Sequence, residues 1–369
     1  MRKLRIFMIL ITLSLLVTGC FGAKRLEGEV YITALGFDYK NGKFEVFSQG
    51  LNFGNIAKQE GANIEDFPIL IGEAKDESLL SAYGELEQTT AMPLSLGHVQ
   101  AIILSERIIK EKKMADVLDI MGQSPNFRYN LFVFGTKENI KELLQTQSFF
   151  NYSQVYSIIH GPEPLIQQNY SLPILKYHQF TTRYYRPIGT IMIPSLSINK
   201  DQFSEGKQKQ IATVNGEYIM SQQQYKGWLN KEDLSGIRWF SKGIQGFSVR
   251  VGTKKVSVKI KNPKTKIVVL KGNQPSYRIA IKGQAALFQN SDNNTNGELQ
   301  SVLNKKIKKD ILTTLEKGDK LNTDVLNISE KSYKYHLNDW DIGAIRGFNL
   351  DAVKDIKVEI KIIESGKYK

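Results

Sequence analysis

The sequence predicts a multi-domain α+β protein in which mixed and antiparallel sheets are covered by helices, behind a cleaved N-terminal lipoprotein signal peptide. Three observations lead to this prediction. A short apolar run ends in Cys20, the only cysteine of 369 residues. Helical and strand-like segments alternate up to about residue 144, and a strand-rich half with one long amphipathic helix follows residue 205. With 41% hydrophobic and 24% charged residues, the chain is long enough for two or three domains.

Residues 1–19 have the charge and length pattern of an export signal. An apolar stretch over 6–18 follows three basic residues, Arg2, Lys3 and Arg5. This stretch is well under the roughly 20 residues that a membrane-spanning helix needs. We therefore predict that residues 1–19 are a cleaved signal peptide and not a transmembrane helix.

Small residues at the end of this segment lead into the cysteine, as in the lipobox of bacterial lipoproteins. Val17, Thr18, Gly19 and Cys20 agree with that motif, in which the sulfur receives diacylglycerol before cleavage on the amino side of the cysteine. We predict S-diacylglycerol and N-acyl attachment at Cys20, followed by a short polar tether over 20–28. Two or three acyl chains hold a protein stably at a membrane, whereas one chain holds it only marginally. The alternatives are a secretory signal with an incidental cysteine and a displaced N-terminal anchor.

Residues 29–198 are predicted to form an N-terminal α/β domain. Its first two strands, 30–37 and 44–51, flank Asn41-Gly42, which is a strong hairpin signal. Residues 147–198 hold five prolines and many tyrosines, and we interpret them as an irregular connecting subdomain. Between these parts, helices and strands are expected in this order: helix 77–88, strand 97–104, helix 108–122, strand 130–134 and helix 137–144.

Residues 205–366 are predicted to form a C-terminal α+β domain, which follows a polar and charged boundary segment over 199–210. Strands are expected on either side of Asn215-Gly216. Asn230 is expected to cap a helix with acidic residues in its first turn. Further strands are expected at 225–229, 247–251, 256–260, 264–270, 277–289 and 356–362, with a turn at 252–253. Apolar residues at every fourth position predict one long amphipathic helix: Leu299, Leu303, Ile307, Ile311 and Leu315.

The chain is basic, with a formal net charge of +13 at pH 7. Lys255, Lys259 and Lys261 alternate with apolar residues and so share the outward face of a predicted strand. Such an excess of lysine can attract anionic lipid headgroups, at roughly 1 kcal/mol for each lysine near the surface. It can also serve as a solvated surface that keeps the protein soluble, and we favour this second interpretation. Nucleic-acid binding is disfavoured because the chain is exported and its aromatic residues do not group into RNA-binding motifs.

The sequence holds no motif for the common catalytic chemistries. A G-x-S-x-G elbow, a P-loop and a G-x-G-x-x-G after a strand do not occur, and the four histidines are widely spaced. We therefore predict that the protein is not an enzyme and has no catalytic residue, metal or other cofactor. His98 is interpreted as a histidine bonded to backbone at a domain seam rather than as a ligand. Trp228, Trp239 and Trp340 are interpreted as core or interface anchors.

Several segments, taken together and in order, are similar to one known family. The most specific is Gly97-His-Val-Gln-Ala-Ile-Ile-Leu-Ser-Glu106. The others are Thr18-Gly19-Cys20 with Leu26-Glu27, Ile32 to Asp38, Leu118-Asp119, Phe127-Arg128, Gly216 to Met220 with Tyr225 to Leu229, Leu321 to Leu326, and Trp340. With these segments the chain resembles the Ger(x)C lipoproteins, the C subunits of nutrient germinant receptors in endospore-forming bacteria. It departs from them at Phe21-Gly22, where members commonly carry Trp-Asp.

The resemblance implies a membrane-anchored, non-catalytic lipoprotein subunit of a nutrient germinant receptor, required for spore germination in response to nutrients. It implies a position on the outer face of the cell membrane or spore inner membrane, held by the lipid on Cys20. The implied partners are the polytopic A and B subunits of the same receptor, without nucleic acid. The alternatives are a substrate-binding lipoprotein of a transporter and a cell-wall-associated lipoprotein such as a hydrolase.

Overall fold

The computed structural model describes Arg5 and residues 28–51, 69–124, 127–163, 172–241, 246–251, 256–290 and 295–365. The strands in these ranges are β1 (Val30–Lys40), β2 (Lys43–Leu51), β3 (Leu70–Asp76), β4 (Leu94–Ser95), β5 (Ala101–Ser105), β6 (Phe132–Thr136), β7 (Thr190–Asn199), β8 (Ser204–Glu205), β9 (Lys207–Gln208), β10 (Ile211–Ser221), β11 (Gln224–Asn230), β12 (Gly246–Val251), β13 (Val256–Leu270), β14 (Ser276–Asn290) and β15 (Val353–Ser365).

The α-helices in the same ranges are α1 (Leu79–Gln88), α2 (Glu106–Lys110), α3 (Met114–Gln123), α4 (Ile140–Leu144), α5 (Tyr177–Tyr184), α6 (Asn296–Lys320), α7 (Glu330–Tyr335) and α8 (Ile342–Arg346). Among the residues that the structure describes, every helix is too short or too polar to cross a lipid bilayer. The predicted lipobox, the signal peptide apart from Arg5, the tether up to residue 27 and the turn expected at 252–253 lie outside the described residues.

Nine strands form the first sheet, in the spatial order β11-β10-β7-β6-β5-β1-β2-β3, with the short β4 beside β1. β1, β5, β6 and β7 are parallel, whereas β2, β3, β10 and β11 pair antiparallel with their neighbours. The predicted mixed sheet is therefore confirmed. Because β10 and β11 come after the predicted boundary segment over 199–210, this sheet takes strands from both sides of it.

Helices cover both faces of the first sheet, as the sequence predicts. One face packs against α1, α2, α3 and α5, with Leu86 and Phe180 among the buried residues. The opposite face packs against α4 through Ile140 and Leu143. β5 and β6 are consequently buried along their whole length, which is the usual state of parallel strands with two covered faces.

The hairpin predicted at Asn41-Gly42 is confirmed. Lys40 pairs with Lys43, and the two turn residues have φ values of 54° and 79°, as a type I′ turn requires. The second Asn-Gly pair behaves differently, and the prediction of two strands around Asn215-Gly216 is wrong. β10 runs through this pair, with a register shift in its pairing with β7. A Cβ on Gly216 would collide with the Leu229 carbonyl oxygen of β11. Glycine here serves close strand approach rather than a turn.

Three other expectations in the first half are wrong. The single helix over 108–122 is divided into α2 and α3, with Lys112 between them at a φ of 58°. The strand expected from Gly97 begins only at Ala101, because residues 96–98 form a 3-10 helix. Residues 190–198, interpreted as part of an irregular subdomain, belong to the long strand β7. β6 pairs with β7 only at Ser195 and Leu196, so Pro194 precedes that pairing.

The second sheet has four strands in the order β12-β13-β14-β15, with β15 parallel to β14 and the other pairs antiparallel. The predicted long helix is confirmed as α6, which packs on one face of this sheet through Leu303 and Ile307. Thr295 and Glu298 begin it with a capping box. The prediction of an α-helix after Asn230 is wrong. The Asn230 Oδ1 atom accepts a hydrogen bond from the Asp233 amide at 2.8 Å, but only turns and a 3-10 helix follow.

Candidate functional site

A small set of polar residues, which we call the interdomain joint, connects the first sheet to the loop between α6 and α7: Thr190, Asp324, Asn327 and Ser329. Thr190 is the first residue of β7, and the other three lie in the loop between α6 and α7. The Asn327 Oδ1 atom accepts a hydrogen bond from the Thr190 amide at 2.6 Å, and its Nδ2 atom donates to the Thr190 carbonyl at 3.1 Å. The Thr190 hydroxyl donates to the Asp324 carbonyl at 2.8 Å. The Asn327 side chain of the C-terminal half thus hydrogen-bonds to both the amide and the carbonyl of Thr190, the first residue of β7.

Asp324 stabilises the loop that carries Asn327. Its Oδ2 atom accepts hydrogen bonds from the amide and the hydroxyl of Ser329, each at 2.6 Å. Burial raises the pKa of Asp324 above its ordinary value of 3.8, although these two hydrogen bonds act in the opposite direction. Asn327 itself has a φ of 54°, which asparagine tolerates better than most residues. The Leu321 to Leu326 segment singled out in the sequence is therefore part of a structural connection.

A cleft of about 820 Å³ lies beside the joint, between α5, β13, α7 and the 3-10 helix at Ile237–Trp239. Its apolar wall includes Trp239, Phe240 and Leu326. Much of its polar wall is already engaged. Glu330 pairs with Lys334, and the Lys331 ammonium lies 4.6 Å from the centre of the Tyr335 ring. The cleft is large enough for a small molecule, but Glu330, Lys331 and Lys334 already contact other groups of α7.

The segments that carry the strongest resemblance also meet in the structure. Arg107 binds the Asp38 carboxylate with two groups, and its Nε atom lies 2.9 Å from Oδ1. Burial opposes ionisation of Asp38, but hydrogen bonds from Arg107 and Ser105 outweigh it and lower the pKa of the carboxyl group. This pair fastens the end of β1 to the start of α2. The segments Ile32 to Asp38 and Gly97 to Glu106 thus have a largely structural role, because they stabilise the packing of α2 against the sheet.

His98 lies in the 3-10 helix before β5 and packs its ring edge-on against Tyr31, with ring centres 4.9 Å apart and an angle of 87° between the planes. Within the described ranges, no three His, Cys, Asp or Glu side chains converge in a way that could hold a metal ion. Trp239 and Trp340 are buried, as the interpretation of these residues as anchors predicts. The Trp340 indole also donates to the Gly272 carbonyl at 3.0 Å.

Glu217 is the most unusual residue that sequence reasoning missed. It lies in β10 opposite Pro194 of β7 and Leu229 of β11, with no exposed surface. Neither carboxyl oxygen has a hydrogen-bond partner in the described part of the chain. Burial raises the pKa of Glu217 well above its ordinary value of 4.5. A single acidic residue before the apolar run Tyr218-Ile219-Met220 was the signal that could have revealed it.

The predicted attachment site, Cys20, and the lipobox residues Val17, Thr18 and Gly19 all lie outside the described residues. Their role therefore stays a prediction.

Comparisons with known proteins cover nearly all of the chain. The family model for the spore germination protein N-terminal domain matches residues 22–198, and the model for the spore germination B3/GerAC-like C-terminal domain matches residues 215–366. Spore germination protein KC of Bacillus subtilis (strain 168) is 21% identical over 364 residues, which span 92% of this chain and 89% of that protein. The crystal structure of the GerBC protein has the same fold. It aligns with a TM-score of 0.55 and 16% identity over 89% of this chain and 97% of that chain.

Proposed function

The chain belongs to the GerAC family of spore germination proteins, and from this membership we propose that it is a lipid-anchored, non-catalytic C subunit of a nutrient germinant receptor. The observation that carries the proposal is the match of both family models, in order, along most of the chain. Two polar residues of the motif segments, Asp38 and Asp324, are engaged in contacts within the fold, which supports a structural rather than a catalytic role.

In this proposal the lipid on Cys20 holds the protein at the outer face of the cell membrane or the spore inner membrane. The polytopic A and B subunits of the receptor are its partners there. Tethering two proteins to one surface raises their effective concentration in the same way as a linker does, so a modest protein-protein contact suffices for assembly.

Deletion of the gene tests the receptor role. In a strain without redundant receptors, we expect loss of germination with nutrients and normal germination with a chemical trigger that bypasses receptors. Re-expression of the unaltered chain is the control and should restore the nutrient response. Normal nutrient germination of the deletion strain would refute the proposal.

A substitution tests the anchor separately. The variant Cys20→Ala should leave the membrane fraction, because no sulfur remains for acylation, whereas Thr18→Ala keeps a small residue in the lipobox and should stay anchored. Mass spectrometry of the mature N-terminus reports the acyl groups directly. Unchanged membrane fractionation of Cys20→Ala would contradict lipid anchoring but not membership of the receptor. Co-purification with polytopic partners from spore membranes tests the assembly.

A solute-binding lipoprotein is less well supported. Such a protein would place two similar α/β lobes around its cleft. Here the two sheets next to the cleft are dissimilar, since one is a nine-stranded mixed sheet and the other has four strands. Calorimetry of the protein with nutrients would measure binding in the cleft.

A further inference from the structure

The four-stranded sheet has one face under α6 and one face that is exposed. On β13, Val258 and Ile260 are buried beneath α6, while Lys259 and Lys261 point the opposite way and are exposed. A register shift follows Lys261, and the alternation then resumes with exposed Lys264 and Lys266. Thr265 faces inward, where its hydroxyl donates to the Trp239 carbonyl. The bulge therefore keeps a run of lysines on the outer face along most of the strand.

The neighbouring strands add further cations to this face. Lys264 lies opposite Lys282 of β14, Arg250 of β12 lies opposite Ser257, and Lys357 of β15 lies beside Ala280. We call the whole set the open basic face. Its members are Arg250, Lys259, Lys261, Lys264, Lys266, Arg278, Lys282, Lys357 and Lys361, all of them exposed.

Two carboxylates, Asp355 and Glu359, share this face among the described residues. Glu359 accepts from Lys357 at 2.7 Å and from Lys282 at 3.0 Å. These two ammonium groups lower the pKa of Glu359 to about 2, so it stays ionised. The face keeps an excess of seven positive charges. A surface that only maintains solubility mixes both signs of charge, whereas on the open basic face nine cations outnumber two carboxylates.

We propose that the open basic face lies against the membrane and binds the anionic headgroups of its lipids. The membrane location is taken from the proposed function, whereas the orientation is new. Charge complementarity supports a lipid surface, because several lysines near an anionic bilayer contribute additively. The type of cation on the face also supports a lipid surface. Seven of its nine cations are lysines, which act as hydrated point charges rather than as forked partners for one specific group.

The side chains that lie between the cations also fit a lipid surface. The residues between the cations on β14 are small or polar, namely Ser276, Ala280, Gln284 and Ala286. Within the part of this face whose side chains the structure describes, no aromatic residue stands among the cations, so this part lacks the platform on which single-stranded nucleic acid stacks. Cations that are spread over four strands suit a fluid layer of headgroups better than one defined ligand.

The exposed side of α6 provides a matched control. Lys305, Lys308 and Lys309 are exposed there, and Lys306 pairs with Asp310 at 3.0 Å. The triple variant Lys259→Gln, Lys261→Gln and Lys266→Gln removes the same charge as the triple variant Lys305→Gln, Lys308→Gln and Lys309→Gln. The two triples differ only in the face that they change.

Vesicle binding of the full chain tests the proposal. We expect the sheet triple to weaken partition into phosphatidylglycerol vesicles by about 100-fold, with partition into phosphatidylcholine vesicles unchanged. The helix triple should weaken it no more than a few-fold. The N-terminal segment is common to all variants, so the difference between the two lipids removes its contribution. Equal losses in both triples, or no loss in either, would overturn the proposal.

A labelling experiment gives a second, independent readout. With Cys20→Ser in the background, a nitroxide at Lys261→Cys should become shielded from an aqueous relaxation agent when phosphatidylglycerol vesicles are added. The same label at Lys308→Cys should stay accessible. Equal accessibility at both positions would overturn the orientation. If the sheet triple instead loses affinity for an acidic peptide or duplex DNA while lipid binding is kept, the lipid assignment is wrong. None of these outcomes depends on germination, so failure here is distinct from failure of the receptor role.

Discussion

The two sheets of the protein differ in how many of their faces are covered by other elements. The nine-stranded sheet is covered on both faces, so β5 and β6 are buried throughout. The four-stranded sheet is covered on one face only, and β13 alternates between buried and exposed residues. A charged residue is therefore easily accommodated on the second sheet. Where the first sheet buries a carboxylate, Asp38 is paired with Arg107, and burial without a partner raises the pKa of Glu217.

The largest expected effect comes from truncation in the first sheet. Ile103 in β5 has no exposed surface, and Ile103→Ala should lower the free energy of unfolding by about 2–5 kcal/mol because it leaves a cavity. The matched variant Ile363→Ala changes a residue on the open side of β15 that is 39% exposed. It should cost under about 1 kcal/mol. Urea unfolding measures both, and similar losses would contradict the contrast between the sheets.

A smaller effect is expected at the interdomain joint. Asn327→Ala removes two hydrogen bonds to the Thr190 backbone and places alanine at a positive φ, and it should cost about 2–3 kcal/mol. Asn327→Gly removes the same bonds without the backbone strain and should cost less. Hydrogen exchange at the Thr190 amide reports the joint directly. Unchanged protection of this amide in both variants would show that the joint does not depend on Asn327.

Glu217 should respond to pH in a direction opposite to a paired carboxylate. Its pKa is raised in the folded state, so its contribution to stability is complete below the unfolded value of 4.5 and is lost as pH rises toward the folded pKa. Glu217→Gln should flatten this decline. Glu217→Leu should also raise the free energy of unfolding at pH 7 by about 1–3 kcal/mol, because no unpaired polar group remains buried.

Thermal unfolding between pH 4 and pH 8 compares these two variants with the unaltered chain. A decline of the same slope in all three proteins would show that Glu217 does not titrate as its burial implies.

The smallest effect is expected on the open basic face. Lys266→Thr replaces an exposed lysine of β13 with a residue of good strand propensity, and it should change the free energy of unfolding by less than about 0.5 kcal/mol. Denaturant unfolding at low and high salt measures this change. A large loss would show that the lysines of this face stabilise the fold rather than serve binding.

Local signals in the sequence predicted those parts of the fold that depend on neighbouring residues. Asn41-Gly42 specifies its own turn, and the four-residue spacing from Leu299 to Leu315 specifies α6. The turn predicted at Asn215-Gly216 was wrong because this glycine allows close contact with β11, which the local sequence cannot reveal. The partners of the joint, Thr190 and Asn327, are likewise far apart in the chain. Cys20 is the opposite case, since its motif is local and the described structure does not include it.

The parallel pairing of β15 with β14 has a consequence for the order of folding. These strands are neighbours in the sheet, yet roughly 60 residues, including α6, separate them, so the pairing must close a long loop. Until β15 arrives, β14 presents an open edge of backbone donors and acceptors to any other extended chain. During folding the C-terminal half must therefore pass through an interval in which pairing with its own strand competes with aggregation, and the rate at which β15 pairs with β14 sets how long that interval lasts.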